Sequence, residues 1–121
     1  DWSAKRRLNA ARYDGHLADC PGVVTPVVAP RNVSIYNQYV IRVPRRDELR
    51  EVLKAHDIGH AVYYPLSLHQ QPCFASLGHG AGDFPESERA AAETIALPIY
   101  PELTAAQIDF VATTIRAFVT G

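Results

Sequence analysis

Five histidines, two cysteines and 13 acidic residues supply enough donors for a metal site, so spacing has to decide whether one exists. His56 and His60 are four apart, but Gly59 lies between them, and paired zinc ligands at that spacing need an unbroken helix to aim both rings alike. His69, Cys73 and His79 match no finger or protease spacing. The expectation is therefore a half-buried His56, loop histidines elsewhere, and no metal. Cys73 stands four residues from His69, yet a Cys-His nucleophile also needs an oxyanion hole, and a cysteine beside Phe74 reads as a small core side chain. The glycines of Gly78-His79-Gly80-Ala81-Gly82 precede no Lys-Ser/Thr pair, so the phosphate-cradling pattern is incomplete. Arg45, Arg46 and Arg50 read as the solvated end of a helix, with Arg42 apart from them in a strand.

The stretch that remains is Tyr63-Tyr64-Pro65-Leu66-Ser67-Leu68-His69-Gln70-Gln71-Pro72. Two tyrosines at a strand end, a proline-fixed turn and a histidine put hydroxyls and an imidazole at a rim, where loops carry function. Neighbours on a strand face opposite ways, so one tyrosine is expected to pack against the core; the other need not.

The elements that must position this stretch are legible from periodicity. Ala4, Leu8, Ala11 and Leu17 approximate one helical stripe across residues 2–19, with no capping residue expected before Trp2 and a stop at Cys20-Pro21-Gly22. Val23, Val24, Val27 and Val28, interrupted by Pro26, read as an edge strand or extended segment. Ser34 to Val43 predicts a strand, with Ile35, Asn37, Tyr39, Ile41 and Val43 on the core face and Tyr36, Gln38, Val40 and Arg42 opposite. Pro44-Arg45-Arg46-Asp47 opens a helix whose inner face is Leu49, Val52, Leu53 and His56. Ala61 to Pro65 then resumes as a strand, completing a strand-helix-strand unit. Leu66 to Gly82 reads as loop with one helical turn at Pro72, Glu86 to Leu97 as an alanine-rich helix, and Thr104 with Gln107 as the capping box of a last helix striped by Ile108, Val111, Ile115 and Phe118.

With 121 residues and 47% hydrophobic content the chain is long enough for one packed core, and its net charge of −1 gives no electrostatic case for a nucleic-acid or anionic-membrane partner. No apolar run approaches a membrane span. Two distant cysteines make no disulfide framework. There is no methionine, and removal of an initiator before Asp1 is unfavourable, so a piece of a longer polypeptide is expected.

Read in order, Ser34-Ile35-Tyr36-Asn37-Gln38-Tyr39-Val40-Ile41-Arg42-Val43, Arg46-Asp47-Glu48-Leu49, Val62-Tyr63-Tyr64-Pro65, Leu68-His69, Gln71-Pro72, Gly82-Asp83-Phe84-Pro85, Glu88-Arg89 and Leu97-Pro98-Ile99-Tyr100-Pro101-Glu102-Leu103-Thr104 resemble the C-terminal part of the DegT/StrS group of pyridoxal-phosphate-dependent sugar-nucleotide aminotransferases. The resemblance implies an α+β class: a small, mainly antiparallel sheet packed with helices, the C-terminal domain of a fold-type I aminotransferase. Residues 1–20 would end a helix leading from a large domain before Asp1, and 21–121 would form the small domain. It further implies a cytoplasmic homodimer moving an amino group, commonly from glutamate, to the keto sugar of a nucleoside diphosphate.

Pyridoxal phosphate needs a desolvated lysine, and the sequence has only Lys5, among arginines, and Lys54, on a solvated helix face. The resemblance assigns that lysine and the other cofactor ligands to the large domain, so the chain alone is expected to be inactive. By the same resemblance Tyr63, Tyr64 and His69 approach the substrate, with His69 either binding a phosphate or fixing the loop. Asn37 is a further substrate-binding candidate; it stands where many relatives have histidine, so a histidine role does not transfer. Leu66-Ser67 replaces the frequent Val-Pro and leaves the turn less rigid. Two other readings stay open: a free-standing α+β binding or regulatory module, and a structural fragment whose Trp2, Tyr36 and Val40 faces mark domain contacts.

Overall fold

The computed structural model describes residues 1–121 throughout. The elements run α1 (Trp2–Leu17), β1 (Tyr39–Arg42), α2 (Arg46–Ala55), α3 (Pro85–Glu93), β2 (Thr94–Leu97) and α4 (Ala105–Thr120), with 3-10 turns at Leu68–Gln70 and Pro72–Leu77 between α2 and α3. β1 and β2 pair antiparallel, Tyr39 opposite Leu97 and Arg42 opposite Thr94. Single antiparallel bridges extend both edges, Val24 to Arg42 and Ala61 to Ala96. The class is α+β with a small antiparallel sheet, as the resemblance implies. No helix is long and apolar enough to cross a membrane.

Tyr39, Ile41 and Val43, with Ile95 and Leu97, form the sheet's contribution to one hydrophobic core, and Ala10, Tyr13, Leu17, Leu49, Leu53, Ile108, Val111 and Ile115 close it from the helices. Full burial of a large aliphatic side chain stabilises by roughly 1.5–3 kcal/mol. The last helix forms as its sequence predicts. Thr104 Oγ1 accepts from Gln107 N, Gln107 Oε1 accepts from Thr104 N at 2.9 Å, and the stripe Ile108, Val111, Ile115 is buried. Phe118 is half-buried beneath the Arg45 guanidinium, 4.5 Å from its ring centroid.

Elsewhere tertiary packing overrides the pattern. The buried face of α1 is Ala10, Tyr13 and Leu17, and Leu8 is 71% exposed. Tyr13 takes the inner stripe because its ring stacks on Tyr39 at 4.9 Å and its hydroxyl donates to Pro98 O. Nor is α1 uncapped: Asp1 Oδ1 accepts from Ser3 N at 3.0 Å. The strand predicted from Ser34 starts only at Tyr39, because Tyr36 adopts φ 46° and turns the pleat. Tyr36 then packs on the core while Ile35 and Asn37, placed on the inner face by alternation, are exposed. Ala61 to Pro65 is no strand; Ala61 makes one bridge, to β2 rather than β1. The alanine-rich helix ends at Glu93, since Ile95, Ala96 and Leu97 bury more completely as a strand opposite β1 than as a further helical turn.

Three side chains also change surroundings. His56 is exposed, its Nδ1 2.9 Å from Val52 O. Cys73 is exposed rather than in the core. Arg46 is buried, not solvated: its Nη1 donates to Thr94 O at 2.7 Å and its Nε to Asp47 Oδ1 at 2.8 Å, which satisfies the guanidinium where α2 meets β2.

α1 and α4 are joined by charge as well as by packing. Arg12 donates to both Asp109 oxygens at 2.7 Å, His16 Nε2 lies 2.7 Å from Asp109 Oδ1, and Arg116 Nη1 donates to His16 O. Arg12 first, then His16, holds the Asp109 carboxyl below the usual aspartate range. A carboxyl depressed in the folded state adds stability that is present above its unfolded pKa, about 3.9, and lost as pH falls through the folded value. Thermal melts between pH 5 and pH 2 are therefore expected to fall less steeply for Asp109→Asn than for the parent; parallel curves would contradict the linkage.

Candidate functional site

Three clefts carry the sequence-predicted residues. Asn37 and Tyr63 line a cleft of about 270 Å³ with Gln38, His60, Ala96 and Pro98. Tyr63 and Tyr64 line a second, of about 340 Å³, whose other walls are Ser67 and Gln71 on one side and Ser87, Ala91 and Thr94 on the other. Tyr63 is common to both, so the structure brings Asn37, Tyr63 and Tyr64 together. His69 lines a third cleft, of about 330 Å³, with Phe74, His79 and Phe84; this cleft adjoins the second through Leu68 and Ser87.

The tyrosines reach this position because Ala61 is hydrogen-bonded to Ala96 in both directions, which anchors the chain at the edge of β2 two residues before Tyr63. Both rings are exposed, Tyr64 the more so at 73%, and they meet edge to face with centroids 6.3 Å apart. Neither packs into the core as alternation predicts, since Ala61 to Pro65 is not a strand. Tyr63 and Tyr64 thus offer two phenol hydroxyls on one rim, each a donor and an acceptor. Asn37, also exposed, adds an amide on the same side.

His69 is engaged. Its side chain is 7% exposed, its Nε2 is 2.9 Å from Glu88 Oε1, and its ring packs on Phe84 with centroids 4.8 Å apart. Of the two roles open to it from sequence, this geometry suits fixing the loop. Glu88 also accepts from Gly82 N at 2.8 and 3.1 Å. The Gly82 amide, followed by His69, holds the Glu88 carboxyl below the usual glutamate range.

Sequence reasoning weighed His60 only as a metal ligand, and Ser67 and Gln71 only as part of a loop; His60 lines the Asn37–Tyr63 cleft, and Ser67 and Gln71 the Tyr63–Tyr64 cleft. His60 Nδ1 lies 3.0 Å from Ile58 O and its ring borders the Asn37–Tyr63 cleft; its signal was proximity, three residues before Tyr63. Ser67 Oγ is buried with no hydrogen-bond partner, a cost no local pattern announces. No three His, Cys, Asp or Glu side chains converge as metal ligands. Lys5 and Lys54 are both exposed and line none of these clefts. The residues present do not fit pyridoxal phosphate, which needs an amine desolvated at the base of a cleft.

Residues 1–116 match the DegT/DnrJ/EryC1/StrS aminotransferase family. The chain belongs to that family. A similar protein of Geobacillus stearothermophilus, named pleiotropic regulatory protein, is 45% identical over 119 residues, 97% of this chain and 32% of that protein. A dTDP-3-amino-3,4,6-trideoxy-alpha-D-glucose transaminase of Micromonospora megalomicea is 39% identical, over 98% of this chain and 33% of the relative. The crystal structure of Streptomyces venezuelae DesV in complex with a ketimine intermediate superposes with a TM-score of 0.95 at 33% identity, over 99% of this chain and 32% of that one. The chain therefore spans about a third of the length of the DegT/DnrJ/EryC1/StrS relatives it matches.

Proposed function

We propose that this chain is the small C-terminal α+β portion of a pyridoxal-phosphate-dependent aminotransferase, which moves an amino group, commonly from glutamate, onto the keto sugar of a nucleoside diphosphate. In this reading residues 1–20 lead in from a larger preceding domain and pack in the core of the small domain formed by 21–121. The intact enzyme works as a cytoplasmic homodimer, with neither nucleic acid nor membrane as a partner. The larger domain holds the cofactor, which when bound supplies an electron sink for amino transfer. What supports the reading is a likeness to DesV, to a solved DegT/DnrJ/EryC1/StrS aminotransferase and to a curated dTDP-amino-sugar transaminase, which runs over nearly the whole of this chain and a third of theirs.

The small domain's part is recognition. Tyr63 and Tyr64 donate hydrogen bonds to the sugar or its diphosphate, Asn37 adds a contact from the shared cleft, and His69 keeps the loop in place from behind. The second reading, a ligand-binding or regulatory module, is favoured by the name of the Geobacillus relative.

The test is the full-length protein with pyridoxal phosphate, glutamate and a set of nucleoside-diphosphate keto sugars, read by mass spectrometry for the amino sugar. A glutamate-dependent product is expected, with kcat/KM about tenfold lower in Tyr64→Phe, as suits one lost hydrogen bond. The isolated chain is expected to give no stoichiometric Schiff-base band with the cofactor. Ligand binding without amino transfer would favour the regulatory reading.

A further inference from the structure

We propose that Glu88 is a positioning residue: its carboxylate clasps the 66–84 segment onto α3 and so sets the width of the cleft between Tyr63, Tyr64 and that helix. The backbone hydrogen bonds of this segment are all local, from Gln70 to Ser67, Gln71 to Leu68, Phe74 to Gln71, Gly78 to Ala75 and Asp83 to Gly80. Its other side-chain bonds are local too, between Gly80 or His79 and Asp83 and between Cys73 and Gln71. Ser67 is its only buried residue.

Against that background one side chain reaches both ends of the segment. Glu88 accepts from His69 near its start and from Gly82 near its end, while remaining on the first turn of α3. Phe84 completes the closure, its ring lying 4.8 Å from that of His69 and 5.0 Å from that of His79. The cleft at Tyr64 has this segment as one wall, through Leu66, Ser67 and Gln71, and α3 as the other, through Ser87 and Ala91. A group that fixes the first wall to the second fixes the gap between them. Glu88 itself does not line that cleft, so it acts through the tyrosines and not on a ligand.

The consequence for catalysis rests on the reading under Proposed function; the clasp itself does not. Hydrogen exchange by mass spectrometry on the intact protein compares the parent with Glu88→Ala and Glu88→Gln, the latter retaining one acceptor oxygen. Peptides containing Tyr63–Tyr64 and Gly82 are expected to exchange about tenfold faster in the alanine variant, with β1 and α4 unchanged and the glutamine variant between the two. Faster exchange at Gly82 alone, or an equal rise everywhere, overturns the proposal. If the alanine variant does not fold, the glutamine variant decides by the same peptides. In the amino-transfer assay, Glu88→Ala is expected to raise KM for the keto sugar about tenfold with kcat within about twofold, and Glu88→Gln to restore most of it. An unchanged KM in an active background overturns the positioning role. A parent that transfers no amino group defeats the aminotransferase reading instead, and the exchange result then judges the clasp alone.

Discussion

Tyr39→Ala is expected to destabilise the fold by about 4 kcal/mol, the range for deleting a large buried aromatic. Tyr39 has no exposed surface, stacks on Tyr13 at 4.9 Å and approaches Tyr36 at 6.1 Å, so its removal empties the junction of β1 with α1. Its hydroxyl donates to Asp14 Oδ1 at 2.5 Å. Burial, followed by that carboxylate, drives the Tyr39 phenol well above its ordinary pKa. Tyr39→Phe separates the two contributions. It keeps the ring and loses a bond to a charged acceptor, for an expected cost of about 2 kcal/mol. Urea denaturation checks both variants through the midpoint at constant slope. An alanine variant within about 1 kcal/mol of the parent would mean that the core re-forms around the gap.

The second large effect concerns the turn between α1 and the first sheet bridge. Gly22 has φ +74°, and a Cβ there would lie 3.0 Å from Pro44 Cγ and 3.2 Å from Pro44 Cδ. Any side chain meets the left-handed penalty of about 1–2 kcal/mol, and a β-branched one adds the clash with a ring that cannot swing away. Gly22→Val is therefore expected to cost about 3 kcal/mol, and Gly22→Ala about 2 kcal/mol. Gly59 is the control: nothing lies within 4 Å of a Cβ built there, and its φ is outside the left-handed region. Gly59→Ala is expected to be neutral or stabilising by up to about 1 kcal/mol, through the lower entropy of the unfolded chain. Equal losses at the two glycines would show that backbone conformation is not the cause.

The contrast between these positions also marks what the sequence could reveal. Periodicity found α4 and the inner face of α2 because a helix with a strong stripe announces its own buried side: Ile108, Val111, Ile115, Leu49 and Leu53 are all in the core. On α1 it placed Leu17 correctly but took Leu8 and Ala11 in place of Ala10 and Tyr13, where the decisive contact is an aromatic stack with a residue 26 positions on. It ran the alanine-rich helix through Thr94, because Ile95-Ala96-Leu97 becomes a strand only when β1 lies opposite. At the site, the Tyr63–Tyr64 rim was legible from residue type and turn chemistry. The pairing of His69 with Glu88 was not, since a bond between residues 19 positions apart, one in a loop turn and one on α3, has no period to betray it.

The strand pairing itself has a consequence in time. β1 and β2 are separated by the whole of residues 43–93, and the helices that cover them, α1 and α4, come from opposite ends of the chain. Closing such distant contacts carries loop entropy before any of them is rewarded, so residues 1–121 are expected to fold more slowly than a helical bundle of the same length. On the ribosome, Tyr39 and Ile41 emerge long before Leu97 and Ile95, the residues they will face. Until β2 is made, β1 lacks the strand it pairs with, and that interval is when it is most exposed to aggregation.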